Sequence, residues 1–267
     1  MSRTVWMGED VYDHTMPWVH CTQGIFYRRQ TMGKLWQTFL NNLSFVAVCA
    51  GIIVGLFLLA KLSERFLPNP RKTSQARRIS IIAICSALAS VLHILDFPLP
   101  FLAPDFYKLD FSELPVMLCG FYLGPSAAVA CEGLKILLKL LMKGTSTAFV
   151  GDFANFAVGC SFVLPAVIIY HTARKKKTAV WGLVAGTAVL AIFGSVFNAL
   201  YLLPKFAEMF MPMEAIISAG SALHKGITDL WSLVLWCVVP LNLVKGISVS
   251  ILTLLLYKRV ARPLFGK

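Results

Sequence analysis

Amide and ionisable side chains within apolar segments are the residues of this sequence that could do chemistry. Asn242 and Lys245 lie three residues apart in the last long apolar run, so a helix would place both on one face. Such residues are costly inside a membrane span, and each is therefore a functional hypothesis. An ammonium and a carboxamide together offer donors and an acceptor, which suits a planar, neutral, carbonyl-rich heterocycle. We expect both side chains to contact a ligand.

Other polar residues within apolar runs allow two interpretations each. Asn198 lies near the outer end of one run and Asn155 early in another, and either could bind the ligand or join two helices by a hydrogen bond. Glu132 and Lys135 share one helical face. They could form an internal ion pair that only fixes packing, or Glu132 could contact the ligand.

A stripe of small residues runs along a further apolar segment. Ser80, Ala83, Ala87 and Ser90 are spaced by three, four and three positions, so they would line one side of a helix. Small side chains let another helix approach closely within a bilayer. The stripe therefore predicts a helix contact, either inside the chain or with another subunit.

The composition of the chain indicates that lipid surrounds these apolar segments. Of the 267 residues, 57% are hydrophobic and 14% are charged, whereas a soluble domain has about a quarter charged residues. The net charge of +12 resides in short clusters between apolar runs, so we expect contact with lipid and no nucleic-acid binding. The seven cysteines are scattered without a CxxC pair, which favours neither a disulfide framework nor a metal site.

The apolar runs predict membrane-spanning helices, each about 20 residues long. One run, 114–131, is interrupted at Gly124-Pro125 and should form two shorter helices, the second continuing to about Met142. The fold class is therefore all-α integral membrane, with a six-helix core after one extra N-terminal transmembrane helix. Residues 1–75 form the extension, with its helix at about 35–60, and 76–267 form the core. The other core runs are 79–95, 153–170, 178–203 and 231–257.

Basic clusters predict the orientation of the helices. They precede the first core helix, separate the fourth from the fifth and follow the sixth, so a six-helix core places all three on one side. That side should be cytoplasmic, together with the C-terminus, and residues 1–34 should lie outside. The clusters comprise Arg71, Lys72, Arg77 and Arg78, then Arg174, Lys175, Lys176 and Lys177, then Lys258, Arg259, Arg262 and Lys267.

Two outer loops are too apolar to be merely solvated. The loop 96–110 contains three prolines that forbid a regular helix, and it ends with Lys108 and Asp110, which are further candidates for ligand contact. The loop 205–229 contains a segment that predicts a short amphipathic helix in the membrane interface. Both loops could close over a ligand, or they could rest on lipid headgroups.

The sequence lacks the common catalytic motifs. There is no GxxxxGK[ST] phosphate loop, no HExxH and no GxSxG, so we assign no catalytic residues and expect no ATP hydrolysis by this chain. A membrane enzyme with Glu132 and Asp152 as acid and base is one competing hypothesis. A scaffold subunit without a ligand is another.

Four blocks resemble a known family, the riboflavin-specific S components of bacterial energy-coupling factor (ECF) transporters. They are KLDFSELPVML at 108–118, GFYLGPSAAVACEGLKILLKLL at 120–141, GTSTAFVGDFANFAVG at 144–159 and VPLNLVKGISVSILTLLLYKR at 239–259. The likeness covers about residues 76–262. An S component for another vitamin, such as folate or thiamine, is the competing hypothesis within this class.

The resemblance implies a fold, a ligand and partners. Six helices would enclose a riboflavin site that is open to the outside, with loop 96–110 as its lid and no further cofactor. Polar contacts to the flavin would fall on Asn198, Asn242 and Lys245. The family's AxxxA motif, which packs against a transmembrane coupling subunit, would fall on Ala83 and Ala87. Two ATPase subunits, on separate chains, would drive transport.

The chain also departs from the family pattern. The family usually has Glu where this chain has Asp152, so the resemblance does not define the role of that residue. The N-terminal 75 residues are extra, and the resemblance implies nothing about them.

Overall fold

The computed structural model describes residues 43–68, 73–145, 147 and 149–265. Residues 52–267 belong to one compact unit, and residues 1–51 are assigned to another, of which only the first turns of helix α1 are described. The described segments are almost entirely helical, as the sequence predicts. The long helices are α1 Leu43–Phe66, α2 Gln75–Ile94, α3 Glu113–Leu123, α4 Pro125–Lys143, α5 Val150–Ala173, α6 Lys176–Phe197 and α10 Val239–Phe265.

Shorter elements lie between these helices. Between α2 and α3, the strands β1 Phe97–Pro98 and β2 Lys108–Leu109 pair antiparallel, so the proline-rich loop is a small hairpin without a regular helix. A π-helical turn, π1 Asn198–Leu202, follows α6 and leads into α7 Leu203–Met209 and α8 Met213–Ser221. A second turn, π2 Val234–Val238, joins α9 Leu230–Leu233 to α10.

The predicted N-terminal helix is present but ends later than expected. Residues 35–42 of the predicted range lie outside the described residues, and the helix continues beyond Ala60 to Phe66. The prediction stopped at the first charged residue, Lys61. A Lys or Glu does not end a helix; Pro68 does, because the residue before a proline disfavours the α conformation.

The predicted break at Gly124-Pro125 is confirmed. Gly124 has φ 108°, a conformation that L side chains rarely adopt, and Pro125 begins α4, where its missing N–H has no consequence. Five helical segments among the described residues are long and apolar enough to cross a membrane. Helix α3 is shorter, and α4 contains four charged residues, so the count of six core spans stays a prediction.

Helices α5 and α6 approach closely because two glycines face the α5 backbone. A Cβ on Gly182 would lie 2.5 Å from the Ala166 oxygen, and one on Gly186 would lie 2.6 Å from the Phe162 oxygen. Since the glycines and their partners are each four residues apart, the contact follows one face of each helix. Helix α6 also packs against α10, and α2 packs against α4.

The bundle has a basic end and an opposite end. Helices α2 and α4 run parallel: Arg78 donates to Ser126 Oγ at 2.9 Å near their starts, and Lys143 donates to the Ile94 oxygen at 3.4 Å near their ends. Arg174 and Lys175 join α5 to α6 at the end where α2 begins, since the α5 residue His171 contacts the Gly120 oxygen beside the start of α4. The loop 96–110 therefore lies at the end opposite these basic residues.

Helix α1 packs against the core through its C-terminal half. Ala60 is fully buried in a cluster with Val129 of α4 and Leu164 of α5. The Glu64 carboxylate accepts the backbone N–H of Ser126 at 3.0 Å, which satisfies one of the free donors in the first turn of α4. The part of α1 from residue 52 onwards is thus joined to the rest of its unit by apolar packing and by a helix cap.

Candidate ligand-binding site

A cavity of about 680 Å³ lies at the end opposite the basic residues. Its walls come from the hairpin loop, the end of α4, the start of α5, π1 and the π2–α10 junction. This volume lies within the range of small-molecule sites. The apolar part of the lining includes Phe106, Val158, Leu202, Phe206, Val238 and Leu241.

Most polar side chains that the sequence singled out line this cavity. The structure brings together Lys108, Asp110, Asn155, Asn198, Asn242 and Lys245. They arise from four separate parts of the chain, so the fold assembles a site that the sequence shows only as single polar positions. That these residues contact a ligand stays a prediction.

Asn242 contributes a buried amide group to the cavity wall. It is 8% exposed, and its Nδ2 group has no hydrogen-bond partner among the described residues. Gly194 of α6 leaves the room that the amide occupies, because a Cβ there would lie 2.8 Å from Nδ2. Leaving a buried N–H unpaired costs about 1–3 kcal/mol, so a ligand acceptor that met Nδ2 would recover this free energy.

Asn198 is already held by protein contacts. Its Nδ2 donates to the Gly194 oxygen at 2.7 Å, and its Oδ1 accepts the Tyr107 hydroxyl at 3.2 Å. Burial raises the pKa of Tyr107, so this hydroxyl remains a neutral donor. The pair joins the hairpin loop to π1, and contact between Asn198 and a ligand would require Asn198 to share these partners.

Lys245 is the centre of a buried ion network rather than a free donor. Its Nζ atom lies 3.1 Å from Asp110 Oδ2 and 3.0 Å from Glu113 Oε1, and its side chain is 12% exposed. Asp110 also accepts the Ser112 N–H at 2.8 Å and lies 3.4 Å from His93 Nδ1. Burial alone would raise the pKa of Asp110, but Lys245 and His93 hold it well below its usual range.

Glu132 does not belong to the cavity lining. Its carboxylate forms an ion pair with Lys135, as the packing interpretation predicts, and both side chains are fully buried. Lys135 also lies 3.4 Å from Glu113 Oε1, so it extends the network around Lys245. A Cβ on Gly159 would collide with the Glu132 carboxylate, so the carboxylate occupies the space that this glycine leaves. Direct ligand contact by Glu132 is therefore not supported, because protein groups enclose the carboxylate.

Several residues of this site escaped the sequence analysis. Glu113 and His93 complete the network, and Lys139 forms an ion pair with Asp152 at 2.6 Å in the cavity wall. The sequence pattern partly indicates Lys139, because it is a charged residue in an apolar stretch, four residues after Lys135. Nothing comparable marks Glu113 and His93, because they lie at helix ends, where ionisable residues are common.

The small-residue stripe of α2 is only partly on the outer face. Ser80, Ala83 and Ala87 are exposed on the chain, whereas Ser90 is 1% exposed and donates to the Ala87 oxygen. Ser90 therefore fits the contact inside the chain, and an interface with another subunit stays a prediction for the exposed part of the stripe. The 3-4-3 spacing drifts around the helix, and position 90 already faces the core together with Ala89.

The second outer loop packs on the bundle. Ile216 of α8 is fully buried in an apolar cluster with Ala103 and Leu109 of the hairpin and Leu233 of α9. The predicted short helix is confirmed as α8, and one of its faces packs against the hairpin and α9. Both outer loops thus meet beside the cavity.

A bundle of membrane-length helices with a ligand-sized, polar-lined cavity at one end defines a membrane protein that holds a small molecule. The family model described as "ECF transporter, substrate-specific component" matches residues 77–257. The chain therefore belongs to the substrate-specific components of ECF transporters, which are transporter subunits and not enzymes.

Individual relatives agree with this assignment. The chain is 36% identical over 187 residues to the riboflavin transporter RibU of Staphylococcus aureus (strain TCH60), an alignment that covers 70% of this chain and 92% of the relative. It is 30% identical over 184 residues to the riboflavin transporter FmnP of Bacillus subtilis (strain 168), covering 68% and 91%. A solved structure of the S component of a bacterial ECF transporter is 35% identical, with a TM-score of 0.56, and covers 73% of this chain and 100% of that one.

Proposed function

We propose that this chain captures riboflavin in the cavity between the hairpin loop and α10. The unpartnered amide of Asn242 in the cavity wall is the observation that carries the proposal, because a ligand carbonyl or ring nitrogen would satisfy it. The flavin ring is flat and has carbonyl groups along one edge. Aromatic and aliphatic side chains such as Phe106 and Leu241 would cover its apolar part. The names of the relatives support riboflavin over folate or thiamine.

The direct test is binding by the purified protein. We expect protein in detergent to carry the yellow flavin absorption, and stripped protein to quench the fluorescence of added riboflavin at one-to-one stoichiometry. Thiamine should not compete. A colourless protein that leaves riboflavin fluorescence unchanged would refute the flavin assignment, and competition by thiamine or folate would redirect it to another vitamin.

A membrane enzyme and a scaffold subunit both have less support than a vitamin-binding subunit. An acid–base pair of Glu132 and Asp152 is not assembled, because Glu132 pairs with Lys135 outside the cavity lining and Asp152 pairs with Lys139. A scaffold that binds no ligand would not explain a cavity of this size whose wall contains a buried amide without a partner among the described residues.

Capture takes place on the outer side of the bacterial membrane in this proposal. The cavity lies opposite the basic helix connections, and basic loops favour the cytoplasm. The C-terminus then lies inside, because α10 runs from the cavity at Lys245 towards Lys258 and Arg259. Reactivity of a single introduced cysteine near residue 101 with an impermeant label on intact cells tests this orientation. Labelling only after lysis would contradict it.

A separate coupling subunit binds the exposed face of α2 in this proposal. Ala83 and Ala87 leave a shallow strip beside the exposed side chains of Ile84 and Leu88. A small-xxx-small pattern lets a partner helix come close in a bilayer. Two ATPase subunits on other chains supply the energy, since this sequence contains no phosphate loop.

A further inference from the structure

The cavity wall contains an ion pair that is not involved in the proposed contacts to the flavin ring. Lys139 of α4 donates to Asp152 Oδ1 at 2.6 Å and also to the Gly144 oxygen at 3.0 Å. Its side chain is 12% exposed and that of Asp152 is 5% exposed, and both residues line the cavity. The lysine thus fixes one carboxylate oxygen of Asp152 from the α4 side.

The second oxygen of Asp152 is unpaired within the part of the chain that the structure describes. Asp152 Oδ2 is buried and has no hydrogen-bond partner among the described residues, and the same holds for Oδ1 of Asn155, three residues later on the same face of α5. Both residues line the cavity, and each contributes one unpaired, buried acceptor to this part of its wall. Buried acceptors without partners are rare in folded proteins, so each of these two calls for a donor from a water or a ligand.

The chemistry of these acceptors defines the missing group. A carboxylate oxygen accepts hydrogen bonds, and Lys139 neutralises the charge of this one, so a neutral hydroxyl donor fits better than an anion. A phosphate would bring a second negative charge beside Asp152. Adjacent hydroxyl groups along a flexible chain would meet two acceptors that are one helical turn apart.

We propose that Asp152 is a specificity-determining residue that accepts a hydrogen bond from a hydroxyl group of the ligand's polyol side chain, with Lys139 as its positioning partner and Asn155 as a second acceptor. This inference rests on the proposed function, since riboflavin joins a flat ring to a neutral polyhydroxylated chain. It assigns the ring to Asn242 and the polyol chain to the α4–α5 wall.

The test compares two ligands that share the ring. Riboflavin has the polyol chain, and lumiflavin has a methyl group in its place. Asp152→Ala should weaken riboflavin binding by about 10- to 100-fold, as expected for losing a hydrogen bond to a charged group, and leave lumiflavin binding unchanged. The double variant Lys139→Met with Asp152→Ala avoids a lone buried ammonium and should show the same selective loss. Asp152→Glu should keep part of the preference for riboflavin.

Controls separate the outcomes. Glu208→Gln removes an exposed carboxylate that pairs with Lys205 at 2.8 Å and should change neither affinity. An equal loss of both ligands in the folded variants, or no loss of riboflavin, overturns the role of Asp152. Wild-type protein that binds the two flavins equally overturns it as well and leaves the riboflavin proposal standing, whereas binding of neither overturns both.

Discussion

Replacing Lys245 by Met should strongly destabilise the protein, although Lys245 also lines the cavity. The ammonium lies within 3.1 Å of Asp110 and within 3.0 Å of Glu113, and the two carboxylate side chains are 3% and 2% exposed. After the substitution, Asp110 keeps His93 and Glu113 keeps Lys135 at 3.4 Å. Removing one partner of a buried ion pair lowers the free energy of unfolding by about 3–5 kcal/mol. Because two carboxylates lose the same cation, we expect the upper half of that range.

A double-mutant cycle isolates the interaction. Adding Asp110→Asn to Lys245→Met removes one of the stranded charges, so the double variant should recover about 1–3 kcal/mol relative to the sum of the single changes. The measurement is denaturant unfolding in detergent micelles, followed by tryptophan fluorescence, with and without riboflavin. The loss should appear without ligand, since the network exists within the protein alone.

The matched control is Lys205→Met, which breaks the exposed pair with Glu208 at 2.8 Å. Exposed pairs contribute about 0–1 kcal/mol, so this variant should unfold almost like the unaltered protein. The ion network would be refuted if Lys245→Met lost no more stability than Lys205→Met. Strictly additive effects of the two substitutions would also contradict the ion network, because additivity would mean that Lys245 and Asp110 do not interact.

Four further changes test single contacts. Asn242→Ala should weaken riboflavin binding by about 1–3 kcal/mol in a fluorescence titration without lowering stability, since it removes an unpaired buried amide; a drop in stability with unchanged affinity would contradict this. Glu64→Ala should lower the free energy of unfolding by about 1 kcal/mol, the usual loss for a helix cap, and an unchanged value would show that the contact with α4 is not a cap. Gly182→Ala should lower the free energy of unfolding by about 1–3 kcal/mol, because its Cβ would meet the α5 backbone. Gly133→Ala should be tolerated, because the nearest atom to its Cβ, in the Phe156 ring, would lie 3.7 Å away. Equal losses in the two variants would argue against close α5–α6 packing. Ala87→Leu should abolish riboflavin uptake by cells and spare binding to the purified protein, and normal uptake would exclude this face as the coupling contact.

The helical elements and several site positions follow from the sequence. Long uninterrupted apolar runs satisfy their backbone in lipid as helices, so the helical class and the rough positions of the long segments follow from the pattern of apolar residues. The Gly124-Pro125 break is local, since a positive φ and a missing N–H act within one turn. Polar residues such as Asn242 and Lys245 stand out because membrane spans rarely contain them.

Pairing between these residues depends on the tertiary structure. Lys245 looks like a ligand donor in the sequence, yet Asp110 and Glu113, from a distant part of the chain, occupy its ammonium. Glu132 looks equally polar, yet Lys135 and the tight space at Gly159 keep it out of the cavity. Sequence spacing describes contacts along one helix, whereas these contacts depend on which helices are neighbours.

By itself, the sequence determined that this chain is a helical membrane protein with a few polar side chains inside its apolar runs. A helix satisfies the whole backbone of such a run within one segment in lipid, so that conclusion required no knowledge of packing. Only the tertiary structure decided which of those side chains meet at one cavity and which neutralise each other. A buried charge or amide is either paired or free for a ligand according to the atoms brought beside it from distant parts of the chain.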